Sequence, residues 1–319
     1  MKDQTRPANK LFPPLDAEGR ASADLHNLSP NIASLRNGSL NNTGLHPTPP
    51  KPLPDAASPL PGMPSAAPEA LTSPALTTHF RHIDTWVFDL DNTLYPAGSD
   101  LWPKIDQRIT LYLIRLFGLD AMSSRALQKY YYQRYGTTLR GLVVDHGISF
   151  EDYLSFVHDI DRSSLAPNHS LAAAINALPG RKLILTNGSR DHALRTAEAL
   201  GLVEMFEDIF DIVAADLVPK PESATYRRFF DKHGVDPKSS AMFEDIAQNL
   251  IVPHENGMTT TLVVPEPGGA DHREAFEITR GARPPHVHFV TSNLERFLRE
   301  IADGAGGEAK LREIRLTSD

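Results

Sequence analysis

Thr85-Trp86-Val87-Phe88-Asp89-Leu90-Asp91-Asn92-Thr93 is the stretch on which the reading of this chain turns. A short apolar run of strand character ends in two carboxylates. Stability alone does not choose charge at the end of a buried strand. The same pattern returns further along the chain. Lys182-Leu183-Ile184-Leu185-Thr186 runs into Asn187-Gly188, and Ser240-Ala241-Met242-Phe243-Glu244 runs into Asp245. Phe210-Asp211-Ile212-Val213 reads as a strand whose following loop holds Lys220-Pro221. Helical patterns separate these runs. His192 to Leu200 is closed by Gly201, Ala224 to His233 by Gly234, and Ala247 to Asn256 is shortened by Pro253. Thr260 to Val264 reads as another strand, and Val287 to Val290 as an edge strand before a helix from Asn293 to Ile301.

Strand alternating with helix predicts a three-layer, Rossmann-like α/β core with a mostly parallel sheet. One segment breaks the alternation. From about Trp102 to His169 the pattern is helical, with Ile105, Ile109, Leu113 and Leu116 on one face. Leu127 to Tyr135 and Phe150 to Ile160 read as further helices. Such an insert cannot join the sheet, so a small α-helical cap is expected over 99–171, with the core divided between 79–98 and 172–302.

The 319 residues do not all belong to that core. Fourteen of the 26 prolines lie between Pro7 and Pro74, a stretch whose single aromatic is Phe12. Proline removes backbone donors, and so little apolar surface cannot offset the entropy of ordering. Residues 1–78 are therefore expected to be a disordered, proline-rich tail, and 303–319 a C-terminal tail. The first tail reads as a tether or as a start placed too early, with Met63 a later candidate; a ligand for an SH3-like partner is the sharper alternative. Met1 to Arg20 lacks an apolar signal region, and no run approaches a bilayer span, which predicts a cytoplasmic protein without membrane contact. The chain has no cysteine, which excludes thiol nucleophiles, disulfides and cysteine zinc sites. Its net charge of −8 speaks against binding a nucleic-acid polymer.

In parallel sheets, functional groups gather at the carboxyl ends of the strands. Asp89, Asp91, Thr186, Lys220, Glu244 and Asp245 should therefore share one rim. Asp89 and Asp245 are hard oxygen donors suited to Mg²⁺, with Asp91 completing the metal set through its main-chain carbonyl. Asp89 is placed to attack a bound phosphorus, and Asp91 to protonate the leaving oxygen and later deprotonate water. Thr186, Asn187, Gly188 and Lys220 are expected to hold the phosphoryl oxygens. Glu244, Asn249 and Thr93 are expected just behind these groups.

Asp89-Leu90-Asp91-Asn92-Thr93-Leu94-Tyr95 resembles the DxDxT motif of haloacid dehalogenase-like hydrolases. Thr186-Asn187-Gly188, Lys220-Pro221, and Glu244-Asp245 with Asn249 resemble the second, third and fourth motifs of that superfamily. The resemblance covers about 84–264 and places the helical insert where the family has its small cap. Dehalogenases of the family lack an acid at the position of Asp91, so the likeness favours phosphoryl over carbon–halogen chemistry. FDLDNTLY and FEDIAQNL look most like the pyrimidine 5′-nucleotidase-type subgroup. This implies an Mg²⁺-dependent phosphomonoesterase acting on a small phosphate ester, a nucleoside 5′-monophosphate. A phosphatase of another metabolite such as a sugar phosphate or phosphoglycolate, a phosphomutase of the same fold, and a non-catalytic binding protein are the alternatives. Base, sugar and oligomeric state are left open.

Other residues admit two readings each. Tyr131 and Tyr135 share a helical face and either stack on a nucleobase or fill the cap core, the second being the expectation. Tyr95 is a candidate for the wall of the cleft. His286 and His288 alternate on a strand without a third metal ligand and are expected to be ordinary surface histidines.

Overall fold

The structure, a computed structural model, describes residues 73–278 and 283–303. The expected tails lie outside the described residues except at 73–78 and 303. At 73–78 the expectation is corrected. Helix α1 spans Ser73–Phe80, so the fold starts before residue 79. Leu76 and Phe80 are buried in the main core, and Phe80 stacks on Trp86 at 5.8 Å. Two apolar contacts at helical spacing hold a segment that proline-rich composition had grouped with the tail.

The other elements, in chain order, are β1 (Thr85–Phe88), α2 (Leu101–Phe117), α3 (Ala121–Tyr135), α4 (Thr138–His146), α5 (Phe150–Val157), α6 (His169–Ala177), β2 (Arg181–Leu185), α7 (Arg190–Ala199), β3 (Asp208–Phe210), α8 (Ser223–His233), β4 (Ser240–Glu244), α9 (Ile251–Glu255), β5 (Thr259–Val263) and β6 (Phe289–Thr291). A last helix follows over 294–303. The six strands form one sheet in the order β3-β2-β1-β4-β5-β6, every pair parallel. Among the described residues no helix is long and apolar enough to cross a membrane.

Strand side chains alternate between two cores, as a two-residue period demands. Trp86, Phe88, Ile184 and Phe243 join the core shared with α1, α6 and α7. Val87, Leu183, Leu185 and Met242 join that of Tyr226 and Phe229 from α8. Phe88 stacks on Phe243 at 4.9 Å across β1 and β4. Because β1 pairs with β2 on one side and β4 on the other, Asp89, Thr186 and Asp245 emerge side by side.

Two elements differ from their sequence reading. β3 ends at Phe210, and Asp211 turns back to accept hydrogen bonds from Arg190 N and Ala214 N at 2.9 Å. A carboxylate that accepts from the first amide of α7 and from a loop amide ends the strand that the apolar neighbours Ile212 and Val213 suggested would continue. The stretch from 247 starts as a 3-10 turn, Ala247–Leu250, and becomes helical only at α9.

The inserted helices α2 to α5 include one, α4, that the periodicity did not reveal. Its N-cap Thr137 accepts from Arg140 N at 3.2 Å. Gly141 explains its closeness to α3: a Cβ there would lie 2.2 Å from Tyr131 Cδ1. Tyr131 is buried and its hydroxyl meets His146 Nε2 at 2.6 Å, while Tyr135 donates to Asp145 at 2.7 Å. Both tyrosines serve packing between α3 and α4. Trp102, Ile105, Ile109, Leu154 and Val157, from α2 and α5, face a cleft that opens above the carboxyl ends of the strands.

Candidate active site

The first turn after β1 is tight. Thr93 N and Leu94 N both point to Leu90 O, at 3.3 and 3.0 Å. Asn92 takes a positive φ of 60°, which asparagine tolerates. This turn aims Asp89 and Asp91 into a cleft of about 180 Å³. Asp89 is 6% exposed, Lys220 2% and Glu244 fully buried.

Lys220 reaches the centre of the group. Its Nζ donates to Asp89 Oδ1, Glu244 Oε1 and Leu185 O at 2.7, 2.7 and 2.8 Å. Asn187 fixes the lysine backbone from both sides, accepting from Lys220 N at 2.8 Å and donating to Lys220 O at 3.3 Å. Asn249 donates to Glu244 Oε1 at 2.7 Å, and Ile246 N donates to Glu244 Oε2 at 2.6 Å. Glu244 is thus a buried brace for the lysine and for the turn after β4.

The charges do not balance. Carboxylate oxygens of Asp89, Glu244 and Asp245 all lie within 4.8 Å of one another around a single lysine. Burial, which Lys220 only partly offsets, pushes Asp89 up to about 7, with Glu244 and Asp91 adding to the rise. Burial and the charges of Glu244 and Asp89 likewise hold Asp245 well above the usual carboxylate range. Lys220 moves upward despite its own burial, because Asp89 and Glu244 flank it. Three carboxylates against one lysine leave two negative charges uncompensated, and such hard oxygen donors fit a divalent cation.

Asp91 stands apart from that cluster. Its Oδ1 accepts from Tyr95 Oη at 2.5 Å and from His192 Nε2 at 2.9 Å. Burial alone would raise its pKa, but His192 and Tyr95 together hold it below the usual value. The Asp91 side chain is therefore not a member of the metal group, and any share it has there falls to its main chain. Gly188 N donates to Thr186 Oγ1 at 2.9 Å, a bond inside the turn that a phosphoryl oxygen would have to share or displace. The Thr186 hydroxyl proton remains to be donated into the cleft, which Thr186 lines. Thr93 is buried, and neither its hydroxyl nor Asn92 Oδ1 has a partner among the described residues.

Several residues around the site were not singled out in the sequence. His192 and His158 are buried and stacked at 4.4 Å, and Arg162 meets His192 Nδ1 at 2.8 Å. The connection between β5 and β6 brings His272, Arg273 and Glu277 to the cleft wall, where Tyr132 from α3 donates to Glu277 and Lys129 pairs with Glu274. Only Ser189 just before α7, an N-cap signal, marked the neighbourhood of His192. His288 Nδ1 accepts from Thr260 N at 3.1 Å and ties β5 to the stretch before β6.

Sheet, acidic rim and helical insert together define a three-layer α/β protein with its candidate site at the carboxyl edge of the strands. A family model of haloacid dehalogenase-like hydrolases matches residues 83–251, more than half of the chain, and the chain belongs to that family. Phosphate metabolism protein 8 of Saccharomyces cerevisiae is 26% identical over 175 residues, covering 50% of this chain and 54% of the yeast protein. The chain thus spans about half the length of that curated relative. Among solved structures, a HAD phosphatase from Thermococcus onnurineus superposes with a TM-score of 0.46 at 14% identity, over 70% of this chain and 99% of that one. L-2-haloacid dehalogenase from Xanthobacter autotrophicus gives 0.42 at 15%, also over 70% and 99%.

Proposed function

We propose that the protein is an Mg²⁺-dependent phosphomonoesterase that uses Asp89 as nucleophile and acts on a nucleoside 5′-monophosphate. The observation that carries the reading is the division of labour between two aspartates two residues apart. Asp89 is held in the acidic cluster by Lys220, and Asp91 is turned out of it by Tyr95 and His192. A phosphate ester needs both a nucleophile and a separate proton carrier.

The residues fit a divalent ion by the charge argument above. Asp89 and Asp245 would hold it together with the Asp91 carbonyl. Bound there, it would supply positive charge for the phosphoryl oxygens. Every other part of the reaction belongs to the chain. An oxygen of Asp89 attacks phosphorus, and the bond from phosphorus to the ester oxygen breaks. Asp91 gives its proton to that leaving oxygen; the substrate's own negative charge beside Asp91 favours the protonated carboxyl beforehand. Water then attacks the phosphorus of phospho-Asp89, Asp91 takes the proton back, and the bonding pair returns to Asp89. Lys220 and the Thr186 hydroxyl offset the charge on the transferring group.

The cleft supports the choice of leaving group. Trp102, Ile105 and Leu154 offer an apolar surface, with Asp106, Gln128 and Lys129 as polar groups on its wall. A nucleoside combines an apolar face with a polar edge. Phosphate release measured across nucleoside monophosphates, sugar phosphates and phosphoglycolate tests this. The reading expects the highest kcat/KM for a nucleotide, and a sugar phosphate preferred by tenfold or more would replace it. Isomer formation without phosphate release would indicate a mutase instead.

A further inference from the structure

We propose that His192 is a positioning residue for Asp91, and that Arg162 fixes the ring form in which it works. The inference rests on Asp91 acting as acid and base in the reading above.

His192 lies in the first turn of α7, where its backbone N donates to the N-cap Ser189 Oγ at 3.2 Å. Its side chain is fully buried, with Nε2 2.9 Å from Asp91 Oδ1 and Nδ1 2.8 Å from Arg162 Nη2. A guanidinium only donates. His192 Nδ1 must therefore present its lone pair, so the neutral ring bears its hydrogen on Nε2 and donates it to Asp91. Arg162 is not free to move away. Its Nε donates to Thr196 Oγ1 at 3.2 Å, Nη1 to Ile160 O at 3.1 Å, and Nη2 to His158 O at 3.3 Å.

The result is directional. Tyr95 and His192 both donate to Oδ1 of Asp91, which fixes the plane of the carboxylate. Oδ2 is left on the side of Gly188, 3.7 Å from where a Cβ of that glycine would lie. That oxygen is the one that exchanges the proton. His158 closes the arrangement. It follows the last turn of α5, stacks on the His192 ring at 13°, and meets Ser189 Oγ at 2.9 Å. The segment 158–162, which leads from the inserted helices back to the core, thus supplies both the stacking partner and the arginine. The orientation of Asp91 is coupled to the end of α5 through the buried His158 and His192 and the half-buried Arg162.

The test compares two aryl esters, para-nitrophenyl phosphate and phenyl phosphate. The first has the better leaving group and needs less help from an acid. His192→Phe keeps a ring against His158 but loses both nitrogens. Its kcat/KM should fall about 100-fold for phenyl phosphate and at least tenfold less for the nitro ester, with KM nearly unchanged. His192→Gln, whose side-chain N–H falls near the place of Nε2, should recover most of the loss. Should His192→Phe not fold, Arg162→Met serves in its place, with the same preference for the nitro ester at smaller size. Equal losses on both esters, or His192→Gln no better than His192→Phe at the same Tm, would overturn the proposal while the phosphatase reading stands. A wild-type protein that releases phosphate from neither ester would overturn both.

Discussion

Lys220 shows how much the site depends on single side chains. It is the only cation bonded to Asp89 and Glu244 among the described residues, and all three are buried. Removing one partner of a buried ion pair strands the other charge, at a cost of about 3–5 kcal/mol. Lys220→Ala should lower the unfolding free energy by that amount in metal-free protein, measured by urea titration, and should abolish turnover. A loss below 1 kcal/mol would mean that the carboxylates are not charged together. Asp89, Lys220, Glu244 and Asp245 were legible in the sequence because each ends a strand, follows one directly or lies in the loop after one. The Asn249 bond to Glu244 was half-legible, since the sequence placed Asn249 just behind the site without naming its partner. His192, His158 and Arg162 were not, because their meeting depends on how a linker folds back against α7. One local bond was not legible either: the Thr186 hydroxyl accepts from the Gly188 amide two residues on.

At the scale of elements, the short β3 is held at the sheet edge by charge as well as by backbone pairing. Asp208 Oδ1 is 2.7 Å from Arg190, and Oδ2 is 3.5 Å from Lys232 and 3.7 Å from His233. Burial tends to raise its pKa, but the Arg190 hydrogen bond and the nearby cations bring it below 3.8. A carboxylate with a depressed folded-state pKa contributes stability above its unfolded value. That contribution is lost as pH falls through the folded value. Asp208→Asn should therefore cost up to about 1 kcal/mol at pH 7 and progressively less as pH falls through the folded-state value below 3.8. Denaturant unfolding at pH 7 and along an acid series checks this, and a cost that grows on acidification would contradict it. Strands β1, β2, β4 and β5 were read well because their burial leaves a nearly unbroken apolar signature, whereas the starts of β3 and β6 were each placed two residues off. The inserted helices were read less well: α4 is short, and Gly141, which lowers helix propensity, is what lets it pack on Tyr131. Helix α1 was hidden by the proline-rich composition around it.

For the whole molecule, the account is of a sheet that gathers more negative charge than it neutralises, below a cleft roofed by inserted helices. A divalent ion that completes the site should stabilise the fold by mass action, by about 2.7 kcal/mol at a hundred times its Kd. Mg²⁺ should therefore raise Tm in the wild type by several degrees and in Asp245→Asn by far less, as read by thermal unfolding without substrate. An equal shift in both would place the ion elsewhere. The sequence showed this architecture through the order of its strand ends, while the cleft wall built by the connection between β5 and β6 came only from tertiary packing. The most direct test of the central claim is to trap the covalent species. Protein quenched during turnover of para-nitrophenyl phosphate in Mg²⁺ and reduced with borohydride should convert Asp89, and no other residue, to homoserine, seen by peptide mass. Substrate-dependent reduction at a different aspartate, or unmodified Asp89 in protein caught with phosphate covalently bound, would contradict the account.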